Sequence, residues 1–104
     1  MEVLVKNSVR FKAFHWPVIY MIGQLESAGD HIQKNMVITS ANDSKHREGS
    51  LHYQDLALDI RIRHLNKSEI DPLMDFLNSK LNNGRKRYDV ILESDHIHLG
   101  YDPE

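Results

Sequence analysis

Alternating hydrophobic and polar residues predict a β-strand in the middle of the chain. Leu56, Leu58, Ile60 and Ile62 alternate with Ala57, Asp59, Arg61 and Arg63. A strand that buries one face and exposes the other produces this period of two. We therefore expect Asp59 and Arg61 to point away from the core, on the same face of a sheet.

Two segments with apolar residues at helical spacing predict two helices. The first begins at Pro17, and Gly29 predicts its end. Its apolar positions are Val18, Met21, Ile22 and Leu25. The second begins after Asn66, which forms a capping pair with Glu69, and ends at residues 83–84. Its buried stripe consists of Ile70, Leu73, Met74, Leu77 and Leu81.

Shorter apolar runs predict the remaining strands. Residues 36–39, 88–92 and 97–99 are typical strand segments, and residues 2–12 alternate loosely, as a short strand or extended arm would. Residues 40–50 are polar and turn-like. Together the elements predict an α+β fold with a small, mainly antiparallel sheet and two helices, in a single domain spanning residues 1–104.

Charge and hydropathy exclude several classes of partner. The net charge of -2 does not favour a nucleic-acid-binding surface, and the basic clusters at residues 45–47 and 85–87 are interpreted as solvated loops. No apolar run reaches the roughly 20 residues that span a bilayer, so membrane insertion is not expected. An N-terminal stretch has some features of a signal peptide, but Glu2, His15 and Pro17 interrupt it, so we expect no export signal.

The chain has no cysteine and seven histidines, which restricts any metal site to His, Asp and Glu ligands. Two groups have suitable spacing: His52 with Asp59, and Glu93 with His96 and His98. Two imidazoles and one carboxylate suit a catalytic zinc ion that keeps its fourth position for water. A nearby Glu that is not a ligand would accept the proton of that water.

Strand parity tests whether these residues can share a face. His52 and Asp59 are separated by an odd number of residues, so the chain must bend between them, and residues 53–55 are the expected bend. Glu93 and His96 are also separated by an odd number, with a turn expected at residues 94–95. His96 and His98 lie on one face if that segment is extended.

These residues give the chain a resemblance to peptidase family M15, the zinc D-alanyl-D-alanine carboxypeptidases and phage endolysins, whose fold is shared by the hedgehog signalling domain. The first family motif is matched by Ser50, His52, Ala57 and Asp59. The second is matched by Glu93, His96 and His98. In order and spacing, the resemblance covers roughly residues 15 to 102.

The resemblance implies a hedgehog/DD-peptidase-like fold and a zinc-dependent hydrolase. It implies Zn²⁺ bound by His52, Asp59 and His96, and Glu93 as the catalytic base. His98, His46 and Arg61 are then candidates for contacts with the substrate or its oxyanion. The implied substrates are peptidoglycan stem peptides, cut by a carboxypeptidase or by an endolysin-like endopeptidase. A phage-encoded enzyme released at lysis would fit this substrate.

Three departures from the family pattern keep alternatives open. Asp55 replaces a usual Gly, Gly100 replaces a frequent acid, and the Arg expected soon after Ser40 is missing. The cation that would hold the substrate is therefore unassigned. The alternatives are a non-catalytic zinc module that binds a peptide or protein, and a metal-free interaction domain. The oligomeric state is open.

Overall fold

Two helices and a five-stranded mixed sheet form the part of the chain that the structure, a computed structural model, describes: residues 1–11, 15–41, 56–84 and 87–101. The elements in chain order are β1 (Val3–Val5), α1 (Trp16–Ile32), β2 (Met36–Ser40), β3 (Ala57–Arg61), α2 (Lys67–Leu81), β4 (Tyr88–Leu92) and β5 (His96–Tyr101). The strand order is β1-β2-β3-β5-β4. β1 is parallel to β2, and the other neighbours are antiparallel. The predicted α+β class with two helices is confirmed, with one parallel pairing added.

The helices pack against each other and against the same side of the sheet. The other side is not covered by a helix of the described residues, and we call it the open face. Leu58 and Ile60 of β3 and Ile97 and Leu99 of β5 are at most 1% exposed and join one hydrophobic cluster with both helices. Each such side chain contributes about 1.5–3 kcal/mol through burial. The predicted alternation of β3 is confirmed, and the residues between these apolar positions belong to the open face.

Helix α1 begins as predicted, with Pro17 in its first turn, but the predicted end at Gly29 is wrong. The helix continues to Ile32 and is ended by Gln33, whose φ of 59° is left-handed. Gly29 instead permits a close approach of the chain, since a Cβ there would lie 2.6 Å from the carbonyl oxygen of Lys34. The glycine is therefore needed for packing at the helix end rather than for stopping the helix.

Helix α2 begins with the predicted capping box. The Asn66 side chain accepts a hydrogen bond from the Glu69 backbone N–H, and the Asn66 backbone N–H donates to the Glu69 carboxylate. That second hydrogen bond lowers the pKa of Glu69. The helix ends at Leu81, slightly before the predicted residues 83–84, and the Asn82 side chain then bonds both the N–H and the carbonyl of Tyr88. The end of α2 is thereby fixed to the start of β4.

Tyr88 predicts how stability will depend on alkaline pH. Burial, with smaller contributions from Tyr101 and Tyr20, raises the pKa of Tyr88 from 10.0 to about 12. Between these values the unfolded chain ionises while the folded chain stays protonated, so folding stability is complete below pH 10 and falls as pH rises towards 12. We expect Tyr88→Phe to reduce this loss, which urea unfolding between pH 9 and pH 12 would measure.

The control for this measurement is Tyr20→Phe, because the Tyr20 side chain is 42% exposed. Its alkaline loss of stability should stay close to that of the unmodified chain, because Tyr20 makes only a minor contribution to the raised pKa of Tyr88. If the stability of the Tyr88→Phe variant depends on pH as that of the unmodified chain does, Tyr88 is not the cause of the alkaline loss of stability.

Candidate metal centre

The candidate residues described by the structure lie on the open face of the sheet, where β3 and β5 are neighbours. Asp59 is paired across the strands with His98, and Arg61 with His96. Directly opposed residues of antiparallel strands project from the same face. The predicted shared face of His96 and His98 is confirmed, as is the placement of Asp59 and Arg61 opposite to the core.

The Asp59 carboxylate lies between two imidazoles. Its Oδ1 is 3.2 Å from Nδ1 of His98 and 3.7 Å from Nε2 of His96. The Asp59 side chain is only 15% exposed, so these contacts are made away from bulk water. Two ligand atoms of one tetrahedral zinc ion lie about 3.3 Å apart. The Asp59 oxygen and the His96 nitrogen are therefore spaced nearly as two ligands of one ion would be.

A second carboxylate sets the orientation of His96. Nδ1 of His96 is 2.6 Å from Oδ1 of Asp95. An ionised carboxylate only accepts hydrogen bonds, so Nδ1 carries the proton and, in the neutral ring, Nε2 presents its lone pair towards Asp59. Histidine ligands of metals usually donate their other ring N–H to such a carboxylate. The arrangement favours His96 as a ligand through Nε2.

The hairpin between β4 and β5 positions Glu93. The Glu93 backbone N–H donates to the carbonyl of His96 at 2.8 Å, so residues 94–95 form the predicted turn. Leu92 pairs with Ile97, which places Glu93 opposite His96 and on the same face. Glu93 is exposed. A base at this position is next to the candidate ligand and open to water and substrate.

Three cationic side chains line a cavity of about 420 Å³ beside this cluster. Its lining consists of Lys6, Thr39, Asp59, Arg61, Arg63, Asp95 and His96. Among the described residues, no ion pair engages Lys6, Arg61 or Arg63. The predicted location of Arg61 next to Asp59 is confirmed, and the cavity suits an anionic group near the candidate metal ligands.

Two predicted site residues, His52 and His46, lie outside the described residues, as does the bend predicted at residues 53–55. Over residues 1–11, 15–41, 56–84 and 87–101, no group of three or more His, Asp or Glu side chains could hold a metal ion. Asp59 and His96 are brought together as predicted. A complete site built on them would therefore need a ligand from elsewhere in the chain, where His52 lies.

Three residues of this region were not singled out from the sequence. Arg63 could have been found, because it has the same parity as Asp59 and Arg61. Asp95 stands next to His96, but its hydrogen bond depends on the hairpin geometry. Lys6 directly follows β1, which lies two strands from β3 in the sheet. No sequence pattern around Lys6 indicated that it would lie near Asp59.

Comparisons with protein-family models, with curated proteins and with solved structures found no match. Among the helices in the described ranges, none has the length and apolar character needed to cross a membrane.

Proposed function

We propose that this chain is a zinc-dependent metallopeptidase that hydrolyses peptide bonds in peptidoglycan stem peptides, with a fold of the hedgehog/DD-peptidase type. The observation that supports it most is the position of the Asp59 carboxylate, with His96 Nε2 at 3.7 Å and Asp95 orienting that imidazole. Imidazole and carboxylate ligands with an orienting carboxylate form a donor set that suits zinc. His52 is the proposed third ligand.

Each described residue has a distinct role in this proposal. Asp59 and His96 would hold the zinc ion, which would supply Lewis acidity that activates water for attack on a carbonyl. Glu93 accepts the proton of the attacking water and delivers it to the leaving amine. Glu93 lies opposite His96 and on the same face, but it takes no part in the contact between Asp59 and His96. This position suits a base that does not bind the metal.

His98 keeps Asp59 in place and is the proposed contact for the substrate or its oxyanion. Its Nδ1 lies 3.2 Å from Oδ1 of Asp59, which accepts a hydrogen bond from it. Lys6, Arg61 and Arg63 are the proposed source of positive charge for a substrate carboxylate. They stand in for the Arg that is missing after Ser40, although they come from other strands.

Mass spectrometry of peptidoglycan fragments incubated with zinc-loaded protein tests the proposal. We expect a mass loss that corresponds to cleavage of the stem peptide, abolished by a chelator and restored by added zinc. Zinc binding without cleavage across a panel of muropeptides would instead support the non-catalytic zinc module, which the missing Arg favours. An absence of zinc binding, with melting unaffected by the chelator, would reject both functions.

A further inference from the structure

A second cleft lies away from the candidate metal centre, at the other end of the β4–β5 hairpin. It has a volume of about 380 Å³ and is lined by Trp16, Tyr20, Leu81, Asn83, Arg87 and Tyr88. Tyr88 pairs with Tyr101 at the end of the hairpin opposite to Glu93 and His96. A strand rises about 3.3 Å per residue, so the cleft at Tyr88 lies more than about 10 Å from the candidate metal centre at Glu93 and His96. We call this group of six lining residues the aromatic cleft.

Two of the three aromatic residues of the cleft, Trp16 and Tyr20, are exposed, whereas Tyr88 lines it from a buried position. Trp16 is 60% exposed and meets Tyr101 edge-on, with ring centroids 5.2 Å apart. The Tyr20 hydroxyl donates to the carbonyl of Lys80, and the Tyr88 hydroxyl donates to that of Pro17. Because both hydroxyls are engaged by the backbone, the two tyrosine rings are held in place, and Trp16 and Tyr20 provide the exposed aromatic surface. Exposed, rigid aromatic surface in a concave site is typical of ligand binding.

The rim of the cleft supplies hydrogen-bond donors. Asn83 and Arg87 line the cleft, and no hydrogen bond or ion pair to the described residues engages either side chain. No acidic side chain is among the lining residues that the structure describes, so the cleft does not favour a cation. The fitting ligand has a flat apolar face for the aromatic rings and oxygen acceptors at its edge for Asn83 and Arg87.

We propose that the aromatic cleft binds a pyranose sugar, in particular an N-acetylated hexosamine within a glycan. A pyranose ring presents C–H groups on its face and oxygens around its edge, and the acetamido group adds a carbonyl acceptor and a methyl group. A cavity of 380 Å³ accommodates such a ring, whereas an extended proline-rich peptide requires a longer groove. The inference does not depend on the metal site.

The single tryptophan of the chain provides a direct readout, since Trp16 is the only Trp in the sequence. We expect a saturable change in its emission on titration with a tetramer of β-1,4-linked N-acetylglucosamine. Asp59→Asn should give the same titration, which separates this cleft from the proposed peptidase. Arg87→Ala and Asn83→Ala should each weaken binding by up to about tenfold, as the loss of a hydrogen bond does.

Trp16→Ala removes the fluorophore, so sugar binding by this variant is measured from backbone amide NMR shifts. We expect this variant to have lost sugar binding. Ile19→Ala is the matched control, because Ile19 is 54% exposed on the same helix but does not line the cleft. Circular dichroism verifies that each variant is folded. The proposal is overturned if emission does not change up to about 10 mM sugar, if Trp16→Ala binds as the unmodified chain does, or if a proline-rich peptide binds more tightly.

Discussion

Replacing Glu93 with glutamine is expected to lower the rate of stem-peptide hydrolysis by about 10²- to 10⁴-fold, the usual contribution of a general base. Glutamine keeps the size of the side chain but cannot accept the proton of the attacking water. The hairpin should survive, because the bond that closes it uses the Glu93 backbone N–H and not its carboxylate. The rate is measured by mass spectrometry of cleaved peptide, and the zinc content by elemental analysis.

Glu26→Gln is the matched control for this substitution. Glu26 is also exposed, but it lies on α1, in the helical layer away from the open face of the sheet. Its variant should cleave at the unmodified rate. Glu93→Gln protein that retains full activity, or that loses zinc together with activity, would reject a role for Glu93 as a base that does not bind the metal.

Replacing Asp59 with asparagine is expected to weaken zinc binding by at least about 100-fold and to abolish hydrolysis. The loss of an outer residue that only orients a ligand already costs 10- to 100-fold in affinity, so removal of a ligand charge costs more. Asparagine retains the shape of the side chain and can still accept a hydrogen bond from Nδ1 of His98. Competition with a chromophoric chelator measures the affinity.

Asp75→Asn on α2 provides the comparison, because Asp75 is exposed and belongs to the helical layer. We expect its zinc affinity to equal that of the unmodified chain. If Asp59→Asn protein binds zinc as tightly as Asp75→Asn protein, the carboxylate between the two imidazoles is not a metal ligand.

The periodic segments of the sequence predicted the fold well because their signals are local. The alternation from Leu56 to Ile62 and the capping pair of Asn66 and Glu69 involve residues within a few positions of each other, and the structure confirms both. Gly29 misled the prediction because a glycine at a helix end and a glycine at a close backbone approach look the same in sequence. Only the position of the Lys34 carbonyl distinguishes them.

The candidate site was predictable in its parts but not in its assembly. Parity placed Asp59 with Arg61, and His96 with His98, on one face of their strands. It could not show that β5, rather than β4, lies next to β3, since pairing between distant segments leaves no local pattern. That pairing brings Asp59 to His98. The positions of Asp95 and Lys6 were not predicted for a similar reason, because they depend on the β4–β5 hairpin and on the pairing of β1 with β2.

Ile97 separates the two imidazoles of β5 and is fully buried beneath them. Its side chain fixes the register of the strand, because a slip of one residue would turn Ile97 into solvent and drive His96 and His98 into the hydrophobic cluster. Deleting or inserting one residue in the turn at Ser94 and Asp95 would therefore damage folding and chemistry together. We therefore expect this hairpin to tolerate substitutions but not a change in its length.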